Sequence, residues 1–124
     1  KKIPLHNNGT PVRNWLHAQD TADAIYDIIV SNTQNEIYNI AGGFEQANVD
    51  TVRKVITEYT GNKIYNNRND LIEPYVDLSY SRAGQDVRYA LNDDKLRSLG
   101  WKPTRLFDDK LPQIVKYYKE NFIW

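Results

Sequence analysis

The sequence predicts a small mixed α/β domain built from amphipathic helices and a few short strands. Three observations carry that prediction. The length, 124 residues with 40% apolar and 26% charged side chains, suits one domain, residues 1–124, with a modest core. Apolar residues recur at helical spacing in several separate windows. The strand-like stretches are short and too few to complete a sheet of their own. Such a lobe leans on something larger.

The elements follow in order. Residues 1–12 are polar, with Asn8-Gly9 as a turn and Pro4 and Pro11 opposing helix. Val12 to His17 alternates and reads as a short strand. Asp20 is expected to cap a helix, its carboxylate accepting from first-turn amides. Ala24, Ile25, Ile28 and Ile29 form that helix's stripe, to about Ser31. Glu36 to Gly43 reads as a strand ending in a glycine pair. Asp50 opens a second helix with Val52, Val55, Ile56 and Tyr59 on one face, and Gly61 stops it. Asn62 to Pro74 is polar and irregular, and Tyr75 to Ser81 alternates. Asn92 caps a short helix, Asp93 to Ser98, closed by Gly100. Asp108 to Phe122 forms the last helix, where Pro112 fits only in a first turn.

Charge narrows the partners. Lys plus Arg equals Asp plus Glu, 16 against 16, so no global field favours nucleic acid or an anionic membrane. An anion site must be local. No apolar run approaches the roughly 20 residues of a membrane helix. There are no cysteines, which excludes disulfides, thiolate catalysis and Cys-ligated metal. Their absence fits a reducing, cytoplasmic location. His6 and His17 lack a neighbouring carboxylate pattern, so no metal site is expected. The opening Lys-Lys-Ile-Pro lacks Met and an apolar signal core, and reads as internal to a longer chain.

The stretch from Tyr80 to Trp101 holds the strongest local chemistry. Arg82 and Arg88 flank Gly84, and Arg13 sits at another element end. Arginine supplies permanently charged, bidentate donors for a diphosphate. Glycine lets a backbone approach a ligand closely. Spacing alone still favours ordinary surface arginines. Tyr59 and Lys63 have Tyr-x-x-x-Lys spacing, but Gly61 interrupts the turn between them, which makes it a helix-end coincidence. Ala41 to Ala47 has two glycines after a strand without the Gly-x-Gly-x-x-Gly pattern of a dinucleotide turn. Asp93, Asp94, Asp108 and Asp109 sit at helix starts, where the helix dipole accounts for them. Trp15, Tyr26, Tyr38, Trp101, Tyr117 and Tyr118 stand mostly at core-facing spacings.

Taken as ordered blocks, the sequence says more. RNWLHAQDTADAI, EIYNIAGG, ANVDTVRKVI and SRAGQDVRYALNDDKLRSLGWKP follow one another from about residue 9 onward. This order resembles the C-terminal, substrate-binding part of extended short-chain dehydrogenase/reductases that act on nucleotide sugars, and within that family the dTDP-glucose 4,6-dehydratases. The resemblance implies a substrate lobe whose Rossmann partner is absent. It implies that Arg13 reaches the phosphates or base region of the nucleotide, that Asn48 is a polar contact to the nucleotide, and that Arg82 grips the diphosphate. Gln85 stands where the dehydratases carry His and related epimerases carry Asp, a position that contacts the ribose. Gln can still hydrogen-bond a hydroxyl. Ala83 in place of Pro and Asn14 in place of Asp are milder departures. Arg88 is expected to brace the loop, and Asp20 and Asp86 to serve structure, by capping and loop bracing.

The same resemblance implies that NAD is bound by a missing N-terminal domain and not by this chain. The catalytic Tyr-x-x-x-Lys and the Asp-Glu acid/base pair also precede this region in the family, so no catalytic residue is expected here. In the whole enzyme C4 of the sugar would be oxidised, water lost across C5 and C6, and hydride returned to C6. The expected partner is a nucleotide-diphosphate sugar, with a homodimer as the full-length state. Two alternatives stand beside this reading: the same lobe of a UDP-sugar 4-epimerase or decarboxylase, and a stand-alone non-catalytic binding module.

Overall fold

The computed structural model describes residues 1–61 and 72–122. Lys63, and with it the Tyr-x-x-x-Lys spacing, lies outside them, as do residues 62–71 of the irregular stretch. Among the described residues, two short two-stranded sheets, four α-helices and a 3-10 turn at His6–Gly9 make up the architecture. Strand β1 (Ile3–Pro4) pairs in parallel with β4 (Val76–Asp77), placing Ile3 opposite Val76. Strand β2 (Val12–Asn14) pairs antiparallel with β3 (Glu45–Ala47), placing Arg13 opposite Gln46. On its other side Val12 makes an isolated parallel bridge to Arg88. Both alternating stretches thus yield strands shorter than their patterns suggest.

Helix α1 (Ala18–Val30) begins before Asp20. The cap is His17, whose Nδ1 accepts from the Gln19 N–H at 3.1 Å. Asp20 therefore does not cap. It sits in the first turn and points inward, 1% exposed. Helix α2 (Asn48–Thr60) starts straight out of β3, two residues before Asp50. It ends where the sequence predicts: Gly61 takes φ 73°, a left-handed conformation that costs glycine little, and its N–H returns to the Thr57 carbonyl. Helix α3 (Asp94–Arg97) is entered by Asn92, whose Oδ1 accepts from the Asp94 N–H at 2.8 Å. Helix α4 (Phe107–Asn121) carries Pro112 in its second turn rather than its first. Proline removes one amide donor there, and the helix continues because the loss is confined to an exposed position.

Glu36 to Gly43 forms no strand among the described residues. A strand needs a backbone partner, and side chains take that place here. Lys95 Nζ donates to the Ile37 carbonyl, Asn39 Nδ2 to the Asn92 carbonyl, and the Asp93 carboxylate accepts from Gly42 N–H. The strand expected there finds no backbone partner among the described residues.

Two apolar clusters hold the lobe. Leu5, Ile56, Ile72 and Val76 join β1, α2 and β4, with Val49, Val52 and Leu78 against them. Ala24, Leu96 and Trp101 join α1 and α3, with Leu16, Ile28, Tyr38 and Ile40 around them. Burying each large side chain in such a cluster contributes about 1.5–3 kcal/mol. The Trp101 indole also donates to the Asp20 carbonyl at 3.0 Å, so the buried polar edge of the ring is satisfied. Core-facing spacing was a poor guide for other aromatics. Tyr26, Tyr117 and Tyr118 are all more than half exposed. The outer face of α1 is apolar and uncovered, with Ile25, Ile29 and Val30 at the surface and Ile37, 85% exposed, in the segment that follows.

Candidate anion-binding site

The four sequence-predicted site residues lie on β2, at the start of α2 and on the loop between β4 and α3. Arg13 is in the strand itself. Asn48 is the first residue of α2, directly after the Ala47 that pairs with Val12, and its N–H donates to the Pro11 carbonyl at 3.0 Å. Arg82 and Gln85 lie in the loop that runs from β4 to α3. That loop is brought to β2 by backbone contacts: the Val12 N–H donates to the Val87 carbonyl at 2.8 Å.

Asn7 sets where the loop starts. Asn7, Asn8 and Gly9 all adopt positive φ, which Asn and Gly tolerate best. This left-handed turn aims the Asn7 amide at the loop, where Oδ1 accepts from the Arg82 N–H and Nδ2 donates to the Arg82 carbonyl. Sequence reading found the Asn8-Gly9 turn but not this clamp. The signal was the Asn-Asn-Gly run itself, since consecutive left-handed residues leave the side-chain amides free for long-range use.

Arg13 is held by the other end of the loop. Its Nη1 donates to the Val12 carbonyl at 2.7 Å, and Nη1 and Nη2 both donate to the Asp86 carbonyl at 3.1 Å. Its guanidinium lies over the Tyr89 ring, 4.3 Å from the centroid. The Tyr89 phenol hydrogen-bonds the Asp86 carboxylate, and this bond, with the nearby negative charge and some burial, pushes the phenol above its ordinary value. The positive charges of Arg13 and Arg82 both act on the same phenol and oppose the rise. Arg13 thus stacks on the ring face, and Arg82, 69 positions further along the chain, acts on the same phenol only through its charge. Neither Tyr89 nor Asn7 was singled out from the sequence.

Arg88 does not point into this group. It makes a two-pronged ion pair with Glu45, Nε to Oε1 at 2.7 Å and Nη2 to Oε2 at 2.5 Å, and so ties the loop to β3. Gln85 is half-buried, and its Oε1 has no hydrogen-bond partner; the Asn14 Oδ1 on β2 is in the same condition. Gly84 has φ 70° with no atom within 4 Å of a built β-carbon, so its open side is available for a ligand.

An apolar cavity of about 300 Å³ lies elsewhere, among Trp15, Leu16, Val55, Phe107, Leu111 and Ile114. Its one arginine, Arg105, is already committed to Asp20 and Asp23 at 2.6 and 2.7 Å. The cavity thus offers mainly apolar volume, with Lys110 as a further cation on its lining.

A mixed α/β lobe with a ring-stacked, hydrogen-bonded arginine in β2 and an exposed arginine on the adjoining loop is suited to holding an anion. The chain belongs to the GDP-mannose 4,6 dehydratase family, whose model matches residues 1–114. It is similar to the dTDP-glucose 4,6-dehydratase of Escherichia coli, 30% identical over all of this chain and 35% of that one. It is 32% identical to the dTDP-glucose 4,6-dehydratase of Neisseria meningitidis serogroup B, of which it covers 36%. Among solved structures it is similar to the dTDP-glucose 4,6-dehydratase of Bacillus anthracis in complex with NAD, at TM-score 0.79 and 31% identity, over 100% of this chain and 36% of that one. The fold is shared with the UDP-glucose 4-epimerase of Thermotoga maritima solved with UDP-glucose, at TM-score 0.72 and 22% identity, over 97% of this chain and 35% of that one. The chain spans about a third of the length of the curated relatives it matches. Among the described residues, no helix is long and apolar enough to cross a membrane.

Proposed function

We propose that this chain is the nucleotide-sugar-binding lobe of an NAD-dependent enzyme of the dTDP-glucose 4,6-dehydratase type. The observation that carries the reading is the Arg13 guanidinium held against the Tyr89 ring and the Asp86 carbonyl, beside a loop that exposes Arg82, in a chain whose full length aligns with about a third of those dehydratases. Arg13 and Arg82 hold the diphosphate. Asn48 and Gln85 contact the nucleoside, Gln85 at the ribose.

These residues do not fit NAD. The glycine pair at 42 and 43 leads into β3, not into a helix whose N-terminus could receive a pyrophosphate. A β-carbon at Gly42 would meet Leu16 Cδ1 at 2.7 Å, so that glycine serves contact with a neighbouring side chain. The cofactor and the chemical steps belong to other parts of a complete enzyme. The uncovered apolar face of α1 and the unpaired segment at 36–43 support a lobe that rests on further structure.

The reading is tested by titrating dTDP, UDP, GDP and ADP into the complete enzyme. Preference for dTDP is the expected result. Preference for UDP would favour the epimerase or decarboxylase reading, which the shared epimerase fold keeps in view. Binding of none of the four would leave the non-catalytic module. The 124 residues alone are expected to bind poorly, because half of the cleft lies outside them.

A further inference from the structure

We infer that Tyr89 is the positioning residue of this anion site: its ring, with the Asp86 carbonyl, locks Arg13 so that the Nε–Nη2 edge of the guanidinium meets the ligand. The inference rests on the nucleoside-diphosphate reading of the site. A guanidinium has five N–H donors in one plane. The bonds to the Val12 and Asp86 carbonyls use both donors of Nη1 and one of Nη2. Two donors are left, Nε–H and the second Nη2–H. They point the same way along one edge and take no partner among the described residues. That pair forms the side-on fork that matches two oxygens of one phosphate group.

The platform beneath the fork is itself tied down. The Tyr89 ring covers one face of the guanidinium at 4.3 Å. The Tyr89 carbonyl accepts from Asn14 Nδ2 at 3.0 Å, so neighbouring strand residues grip the same turn, Arg13 through its guanidinium and Asn14 through its amide. Rotating Arg13 to offer any other edge would break the Val12 and Asp86 bonds and leave the ring. Ordering a long side chain before the ligand arrives removes an entropic cost of binding. Tyr89 thus acts on the ligand through Arg13.

The test compares Tyr89→Leu, Tyr89→Phe, Arg13→Ala and the Tyr89→Leu/Arg13→Ala double variant in the complete enzyme. Calorimetric titrations use dTDP and, separately, inorganic pyrophosphate. Tyr89→Leu is expected to weaken both ligands about fivefold to tenfold, the range of a partly exposed cation–π contact. Tyr89→Phe keeps the ring and should stay within about twofold of wild type. In the Arg13→Ala background, Tyr89→Leu should add almost nothing. Full affinity in Tyr89→Leu would overturn the inference. So would an equal loss in both backgrounds, which would put the ring on the ligand directly. The lock is also read without ligand, by NMR of the Arg13 guanidinium: separate Nη1 and Nη2 signals are expected in wild type and Tyr89→Phe, merged signals in Tyr89→Leu. Merged signals in wild type would overturn the lock itself. Separate signals in a wild-type protein that binds neither ligand would instead overturn the nucleotide reading.

Discussion

Asn7 and Arg82, 75 positions apart, are joined by two hydrogen bonds in which the Asn7 amide stands in for a strand partner. Oδ1 accepts from the Arg82 N–H at 2.9 Å and Nδ2 donates to the Arg82 carbonyl at 3.3 Å. The clamp fixes the backbone of Arg82 and leaves its side chain exposed for a ligand. Arg82→Ala in the complete enzyme should weaken nucleoside-diphosphate binding by about 1.5–3 kcal/mol, the loss of a charge-assisted contact. Asn7→Gly keeps the left-handed backbone and removes only the clamp, and should give a smaller loss. Calorimetry with dTDP and UDP decides; unchanged affinity in Arg82→Ala would remove that residue from the site.

Gly9 and Gly84 have nearly the same backbone angle, φ 69° and 70°, but different surroundings. A β-carbon at Gly9 would lie 2.8 Å from Val49 Cβ, 3.0 Å from Val49 N and 3.1 Å from Val49 Cα, against the first turn of α2. Backbone cannot move aside as a side-chain tip can. Gly84→Ala should cost only the left-handed penalty, about 1–2 kcal/mol. Gly9→Ala should cost clearly more, on the order of 3 kcal/mol. Melting midpoints of the two variants side by side test the ordering.

Asp20 holds the turn before α4 in place. Its carboxylate accepts from Thr104 Oγ1, the Arg105 N–H and Arg105 Nη1. Burial alone would raise its pKa, but the Arg105 and Thr104 bonds outweigh burial and leave it below the ordinary value of 3.8. Removing the carboxylate by Asp20→Ala leaves the Thr104 hydroxyl and the Arg105 N–H without their acceptor and Arg105 paired with Asp23 alone, at a cost of about 3 kcal/mol near neutral pH. Because the folded value is depressed, the carboxylate's contribution is complete above the unfolded value and fades as pH falls through the lower folded one. The stability gap between wild type and Asp20→Ala should therefore be constant from pH 7 to about pH 5 and narrow below about pH 4. A gap that persists unchanged at pH 2 would contradict it.

Arg88 and Glu45 give the contrasting case. Their ion pair has good geometry, but the Arg88 side chain is 58% exposed. Solvent and salt screen such pairs, so Arg88→Ala should change stability by less than about 1 kcal/mol. Denaturation of both proteins at low and high salt checks this, and any difference should shrink as salt rises.

What the sequence determined by itself was local. Gly61 ends α2, the Asn8-Gly9 turn forms, Asn92 enters α3, and the apolar stripes become helices, because each depends on residues within a turn or two of one another. The arginines could be named as anion donors from their chemistry and from ordered motifs, but not placed. Only the tertiary structure decided that Asp20, expected as a cap, turns inward to meet Arg105, 85 positions away, while His17 takes the cap. It also decided that Glu36 to Gly43 pairs with no strand among the described residues, since a strand is completed by a partner and not by its own sequence. The Arg13–Tyr89 stack and the Asn7–Arg82 clamp belong to the same class. They join segments far apart in the chain, and such contacts are set by how the helices and short strands close around the two apolar clusters, a geometry that no local spacing records.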